Sequence, residues 1–275
     1  MVPEFKSIFP PTKKRPPIPG PNSGAFFKEL LSLRTILLLG ALGQLLLTLT
    51  LPLRFALLPP LLITIHTIAT TIHALTFPPN PSPSELTATI RTRTSTQFPL
   101  HPSSPPQHGV VTLHLGVRFS HPLGILAPGV RTVGTHFAAC NARVAADAAA
   151  FGCLGFSSWH GDTLPANNTL LSIYYFRDVE GLNRFARGPV HRAAWEWYAA
   201  EFVKKAGGTH IGVYHETFYA PPGAWETIYV NMPPTLLGAT RVLVGEGEWV
   251  SPLVEGAHPG LKSQYSRMGV GKGMG

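Results

Sequence analysis

The sequence predicts an α+β protein, a domain of element order β-α-β-β-α-β preceded by a helical hairpin long enough to cross a membrane. Fifty residues, Thr35 to Ser84, carry a single formal charge, Arg54. Beyond Gly109, stretches with the period of 2 alternate with stretches of helical period. Only 13% of the 275 residues are charged, against a usual share of about 25%. The net charge of +8 rests on so few ions that placement outweighs the total, and no nucleic-acid partner is expected. Two cysteines without paired spacing, Cys140 and Cys153, exclude a disulfide scaffold and a cysteine zinc site.

Taken in order, residues 1–34 are basic and proline-rich and read as a disordered N-terminus. Residues 35–77 form the membrane segment. Thr35 to Leu53 is one run long enough for a hydrocarbon core of about 30 Å. Phe55 to Phe77 is a second, despite Pro59 and Pro60, because membrane helices tolerate proline where side chains re-satisfy the backbone. Lys13, Lys14, Arg15, Lys28 and Arg34 precede the spans, and Arg91 and Arg93 follow them. Two spans would leave both ends cytosolic, in a membrane such as the endoplasmic reticulum. A single span would put the domain on the other side, where the sequon at Asn167 could be glycosylated. His66, Thr70 and His73 share a helix face and read as polar packing between helices. Residues 78–108, rich in Pro, Ser and Thr, read as a linker.

The domain is expected at 109–250. Val111 to Phe119 alternates as a half-buried strand. An alanine-rich helix from about Val130 to Phe151 closes at Gly152, and strands follow at Leu154 to His160 and Leu170 to Phe176. Leu182, Phe185, Ala194, Trp195, Tyr198 and Phe202 recur at helical spacing, broken at Gly188-Pro189. A last strand, His210 to Tyr219, precedes an appended strand-like run, Trp225 to Met232. This order is ferredoxin-like. Residues 251–275 read as a disordered tail.

Periodicity also selects a site. Ile211, Val213, His215 and Thr217 share one strand face, and Leu171, Ile173 and Tyr175 share another. If both apolar faces look at the helices, Tyr175 and His215 line one cavity. His191, Trp195, Tyr198 and Phe202 follow at steps of 4, 3 and 4, placing His191 and Trp195 on the inward stripe. The expected pocket has His215 as base, Tyr175 and His191 as donors to a developing oxyanion, and Trp195, Tyr198, Phe185, Ile173 and Val213 as substrate walls. No dinucleotide, nucleoside triphosphate, zincin or hydrolase motif is present, and no metal site is expected.

The stretches GVYHETFYAPPGAWETIYVNMPPTLLGA, YYFRDVEGLNRFARGPVHRAAWEWY and LHLGVRF resemble the monooxygenase family of the fumagillin-biosynthesis type, over about Gly109 to Arg241. Matching positions are Gly116 and Arg118; Tyr175, Arg177, Leu182, Phe185 and Arg187; His191 and Trp195; His215, Glu216 and Thr217; Glu226, Tyr229, Asn231, Met232 and Pro233. That family is similar to the dimeric α+β barrel superfamily. The resemblance implies a homodimer and oxidation of an intermediate in secondary metabolism. It implies fold more strongly than any catalytic set.

A cofactor-free oxygenase needs a base, an anion stabiliser and a dry pocket, which the expected pocket supplies. The expected partners are dioxygen, a small apolar polyketide or terpenoid substrate, and the bilayer, without flavin or nicotinamide. Two alternatives stand beside this: a haem enzyme with His191 or His215 on the iron, and a non-catalytic membrane-tethered scaffold for pathway enzymes.

Overall fold

The computed structural model describes residues 5–18, 33–77, 89–99, 108–161, 169–245 and 247–268. The chain divides into two compact units, Asn22–Pro83 and Met1–Pro21 with Ser84–Gly275.

In the first unit α1 spans Leu33–Thr50, a four-residue α2 spans Leu53–Ala56, and α3 spans Leu58–Thr76. Pro52 caps α2, and proline falls in the first turn of α3, where no intrahelical N–H is lost. The expected second span therefore restarts at Leu58, with Pro59 and Pro60 inside its first turn. The hydroxyls of Thr64, Thr67, Thr71 and Thr76 donate to carbonyls four residues back, so they cost little in an apolar setting. Leu37, Leu46 and Leu75 are exposed. Among the described residues Leu53–Thr76 has the length and composition to cross a membrane, and Thr35–Thr50 is a shorter apolar helix. His66 and His73 are not in any group of three or more metal-ligating side chains among the described residues.

The second unit begins with residues 5–18, which hold to its C-terminal part, followed by β1 (Thr94–Thr96). Next come β2 (Val110–Phe119), α4 (Val130–Ala146), α5 (Ala148–Phe151), β3 (Cys153–His160) and β4 (Thr169–Phe176). Then come α6 (Val179–Ala186), α7 (Pro189–Glu196), a π-helical segment Trp197–Lys205 and β5 (Ile211–Ala220). Short strands β6 (Val242–Val244), β7 (Glu248–Val250) and β8 (Leu253–Glu255) and a one-turn α8 (Gln264–Arg267) complete it. The main sheet has the order β3-β4-β2-β5 and is antiparallel throughout. This is the expected ferredoxin-like arrangement.

Local chemistry fixes these limits. Gly152, at φ 62°, ends α5, a left-handed position that favours glycine. The Asp178 carboxylate accepts from the Gly181 N–H at 2.6 Å and caps α6. A side chain at Gly181 would meet the Phe151 carbonyl at 2.0 Å. Pro189 starts α7, as the Gly188-Pro189 break predicts.

The helix layer lies on one face of the sheet. Val111, Val144, Ala148, Tyr174, Phe176, Leu182 and Phe185 form one core there, and Val117, Phe119, Val130, Phe202 and Ile211 a second. The opposite face carries a third core, in which Tyr175 meets Phe5, Phe98, Leu237, Val242 and Val254.

That third core corrects several expectations. Residues 5–18 are not free: Ser7 bridges Val254 and Thr12 bridges Trp249, Phe5 is buried, and Arg15 donates to the Leu154 carbonyl at 2.8 Å. Within the expected linker, β1 pairs with β8 and is buried along its length. The expected tail supplies β8 and α8. Trp225 to Met232 forms no strand, only isolated bridges from Tyr229 to Thr94 and Met232 to Ile90. Three-residue pairings lie below the window in which periodicity is legible, so composition decided wrongly there.

Candidate functional site

Directly opposed residues of neighbouring strands point to the same sheet face. Leu115 of β2 is flanked by Ser172 of β4 and His215 of β5, and Leu113 by Tyr174 and Thr217. All six look toward the helices. Thr112 is flanked by Tyr175 and Phe218, and His114 by Ile173 and Glu216; these look the other way. His215 and Tyr175 therefore lie on opposite sides of the sheet, and the expected pocket is not assembled. The error is one residue of register on β4.

Burial along β2 dips on the helix side. The inward residues Val111, Val117 and Phe119 are buried, but Leu113 and Leu115 between them are only half-buried. Leu113, Leu115 and Cys140 pack against the first core as partly buried residues, so the helix-side cover is thinner over the middle of the sheet than at its ends. The floor there is Leu113, Leu115 and the buried Ser172. On the helix side stand Cys140 and Asn141 of α4, both half-buried. The Tyr174 hydroxyl donates to Asn141 Oδ1 at 2.5 Å, and burial pushes the Tyr174 and Cys140 pKa values up, so both stay neutral. His136 of α4 rests on Trp197 of the π-helical segment, ring centres 5.4 Å apart. Segments of this kind frequently mark functional positions. At the open side His215 and Thr217 are exposed on the edge strand. β4 and β5 flank β2, so about 10 Å separates Ser172 from His215, with Leu115 between them.

The other expected site residues scatter. His191 is half-buried, its Nδ1 2.9 Å from the Ala186 carbonyl and its ring against Phe185; it ties α7 to the end of α6. Trp195 is 59% exposed and leans on Tyr198. The Tyr198 hydroxyl donates to the Ile211 carbonyl, and Tyr198 and Val213 pack on the second core. Phe185 belongs to the first core and Ile173 to the third. Asn167 lies outside the described residues. Sequence reasoning missed Tyr174, Asn141, Ser172 and Cys140. An asparagine on the inward stripe of an alanine-rich helix was the one signal that could have found the site.

The strongest sequence block proves to be a clasp on the opposite face. Glu226 accepts from Arg267 at 2.6 Å, Thr227 Oγ1 accepts from the Thr96 N–H at 2.9 Å, and Tyr229 accepts from the Gly238 N–H at 3.0 Å. Burial raises the Tyr229 pKa to about 12.

A cavity of about 370 Å³ lies at the far end of the helix layer, lined by Gly129, Trp197, Phe202 and His210 among others. The His210 Nε2 is 2.8 Å from the Pro128 carbonyl, so its imidazole is engaged. A haem needs an imidazole on the wall of a roomy cavity. Neither His191 nor His215 lines this cavity or the other described one, of about 270 Å³.

The family described as Monooxygenase af470-like matches residues 110–237. Monooxygenase af470 of Aspergillus fumigatus is 37% identical over 253 residues, covering 89% of this chain and 90% of that protein. Among solved structures, the aldoxime dehydratase OxdRE with butyraldoxime is 13% identical, with a TM-score of 0.39 over 57% of this chain and 40% of that one. A variant of SnoaB, a cofactor-independent oxygenase from Streptomyces nogalater, is 16% identical, with a TM-score of 0.27 over 40% of this chain and 90% of that one. The sheet order defines an α+β protein with a ferredoxin-like domain, and the curated relative makes it an oxidoreductase of the monooxygenase class. The chain belongs to the af470-like monooxygenase family.

Proposed function

We propose that this protein is a membrane-anchored monooxygenase that oxidises a small apolar polyketide or terpenoid intermediate of secondary metabolism. Dioxygen is the co-substrate, and neither flavin nor nicotinamide takes part. The observation that carries this reading is the interruption of burial at Leu113 and Leu115, two half-buried apolar residues beside the exposed imidazole of His215.

In this reading His215 removes a proton from a carbon activated by a neighbouring carbonyl or phenol, and the resulting anion gives an electron to dioxygen. Recombination forms a carbon–oxygen bond. Loss of water from the hydroperoxide, with His215 returning its proton, turns a CH2 group into a carbonyl. One oxygen atom enters the product, the other leaves as water, and the substrate supplies the electrons. Tyr174 holds Asn141 by its Oδ1, leaving the amide N–H groups to meet the developing oxyanion. The exposed apolar helices α1 and α3 support a lipid anchor, which suits a substrate that partitions into the bilayer.

The domain acts as a homodimer on the cytosolic side of an internal membrane such as the endoplasmic reticulum. β5 supports the dimer, because it is an open edge with Tyr214 and Phe218 exposed.

Oxygen uptake by the full-length protein in detergent, with an apolar phenol or 1,3-diketone and no added cofactor, tests the activity. Uptake that needs no flavin supports it. A Soret band in the purified protein would establish haem instead, and no uptake with any such substrate would favour the scaffold.

A further inference from the structure

We infer that the chain enters and leaves the bilayer on the same side, as a two-helix hairpin whose tip lies at Leu51–Leu53, with both ends cytosolic. This rests on the membrane anchoring proposed above and decides between the one-span and two-span topologies.

Residues 5–18 precede the apolar helices and residues 89–268 follow them, yet both belong to one folded unit. The pairing is specific. The Ile8 N–H donates to the Leu253 carbonyl at 2.9 Å, and Thr12 and Trp249 exchange backbone hydrogen bonds at 2.9 and 2.8 Å. Arg15 donates to Leu154 and lies over the Trp249 ring, 5.2 Å from its centre. Phe5 is buried in the same core as Tyr175. A bilayer cannot pass between two segments joined in this way. A chain that crossed once would have to give up every one of these contacts and leave Phe5 and the face it covers in water.

Leu53–Thr76 has the length and composition to cross, and the shorter apolar helix Thr35–Thr50 would cross by local thinning of a core of about 30 Å. Pro52 stands at the break between them and cannot continue a helix from Thr50. The link carries one cation, Arg54, whereas Lys28 precedes α1, Arg34 lies in its first turn, and Arg91 and Arg93 follow the helices. The excess of cations at the ends puts both on the cytosolic side. The Asn167 sequon then faces away from the glycosylation machinery and stays unmodified, although its sequence is competent.

The test uses full-length protein in microsomes, with a Gly/Ser-rich glycosylation cassette placed at the N-terminus, between Leu51 and Pro52, or at the C-terminus. Modification of the tip cassette alone, with both end cassettes and Asn167 unmodified, is the expected result. Modification at one end overturns the hairpin while leaving the anchor intact. Modification at both ends but not at the tip reverses the orientation and equally overturns it. No modification anywhere overturns it too, and extraction by carbonate then shows whether the anchor itself has failed. Because a cassette could disturb the helices, Pro52→Cys in a Cys140→Ser background gives a second reading. A membrane-impermeant maleimide should label it only after the vesicles are opened, and labelling of sealed vesicles would contradict the hairpin.

Discussion

His215 and Leu115 are direct cross-strand partners on the helix-facing side of the sheet, and Tyr175 lies on the other side beside Thr112. This relationship separates residues that the sequence pattern had joined, and it assigns them different consequences.

His215→Gln should lower oxygen uptake by about 10²-fold or more, the usual scale for general acid–base catalysis. The melting temperature should hardly move, because an exposed substitution rarely changes stability by more than about 0.5 kcal/mol. Tyr175→Phe should leave uptake within a few-fold of wild type. Equal losses in the two variants would return Tyr175 to the site.

Tyr174→Phe should destabilise the domain by about 1 kcal/mol through loss of the hydrogen bond to Asn141. A double-mutant cycle with Asn141→Ala, read by chemical denaturation, should give a coupling of about 0.5–1.5 kcal/mol. A coupling near zero would mean that the phenol does not orient the amide.

How much of this was legible depends on burial from one side or two. β2 and β5 pack helices on one face only over much of their length, and their alternation placed His215 correctly. β4 is covered on both faces near Tyr174 to Phe176, so its inward and outward residues are equally apolar or aromatic and the period of 2 vanishes. Tyr175 was chosen over Tyr174 for that reason. The clasp around Glu226, Thr227 and Tyr229 was visible as a motif, but its partners Arg267 and Thr96 lie in stretches whose composition suggested no structure. Gly188-Pro189 and Gly152 were legible because backbone chemistry alone dictates them.

His108 should make stability fall in mild acid. Burial, chiefly, holds its pKa below the ordinary 6.5, with Arg177 adding to the effect, while the bond to the Gly109 carbonyl and nearby Asp178 oppose it. The unfolded chain therefore takes up a proton that the folded chain refuses. Stability is full above about pH 6.5 and declines as the pH falls through the lowered folded-state value. Melting of wild type and His108→Gln between pH 8 and pH 5 checks this. The variant should lose part of the decline, and identical slopes would show that His108 does not contribute.

Phe218→Asp should convert a dimer to a monomer, since it puts a charge on the exposed aromatic patch of the edge strand. Light scattering of the full-length protein in detergent reads this. A wild-type protein that is already monomeric at tens of micromolar would remove the dimer.

In the proposed reaction the substrate lies on Leu113 and Leu115, the half-buried stretch of β2 beside His215. Oxygen uptake by Leu115→Trp tests this most directly, because the indole would occupy that stretch beside His215. At least a tenfold loss of uptake is expected, with the melting temperature preserved to within a few degrees. Uptake at the wild-type rate by a well-folded Leu115→Trp enzyme would contradict it and place the chemistry elsewhere.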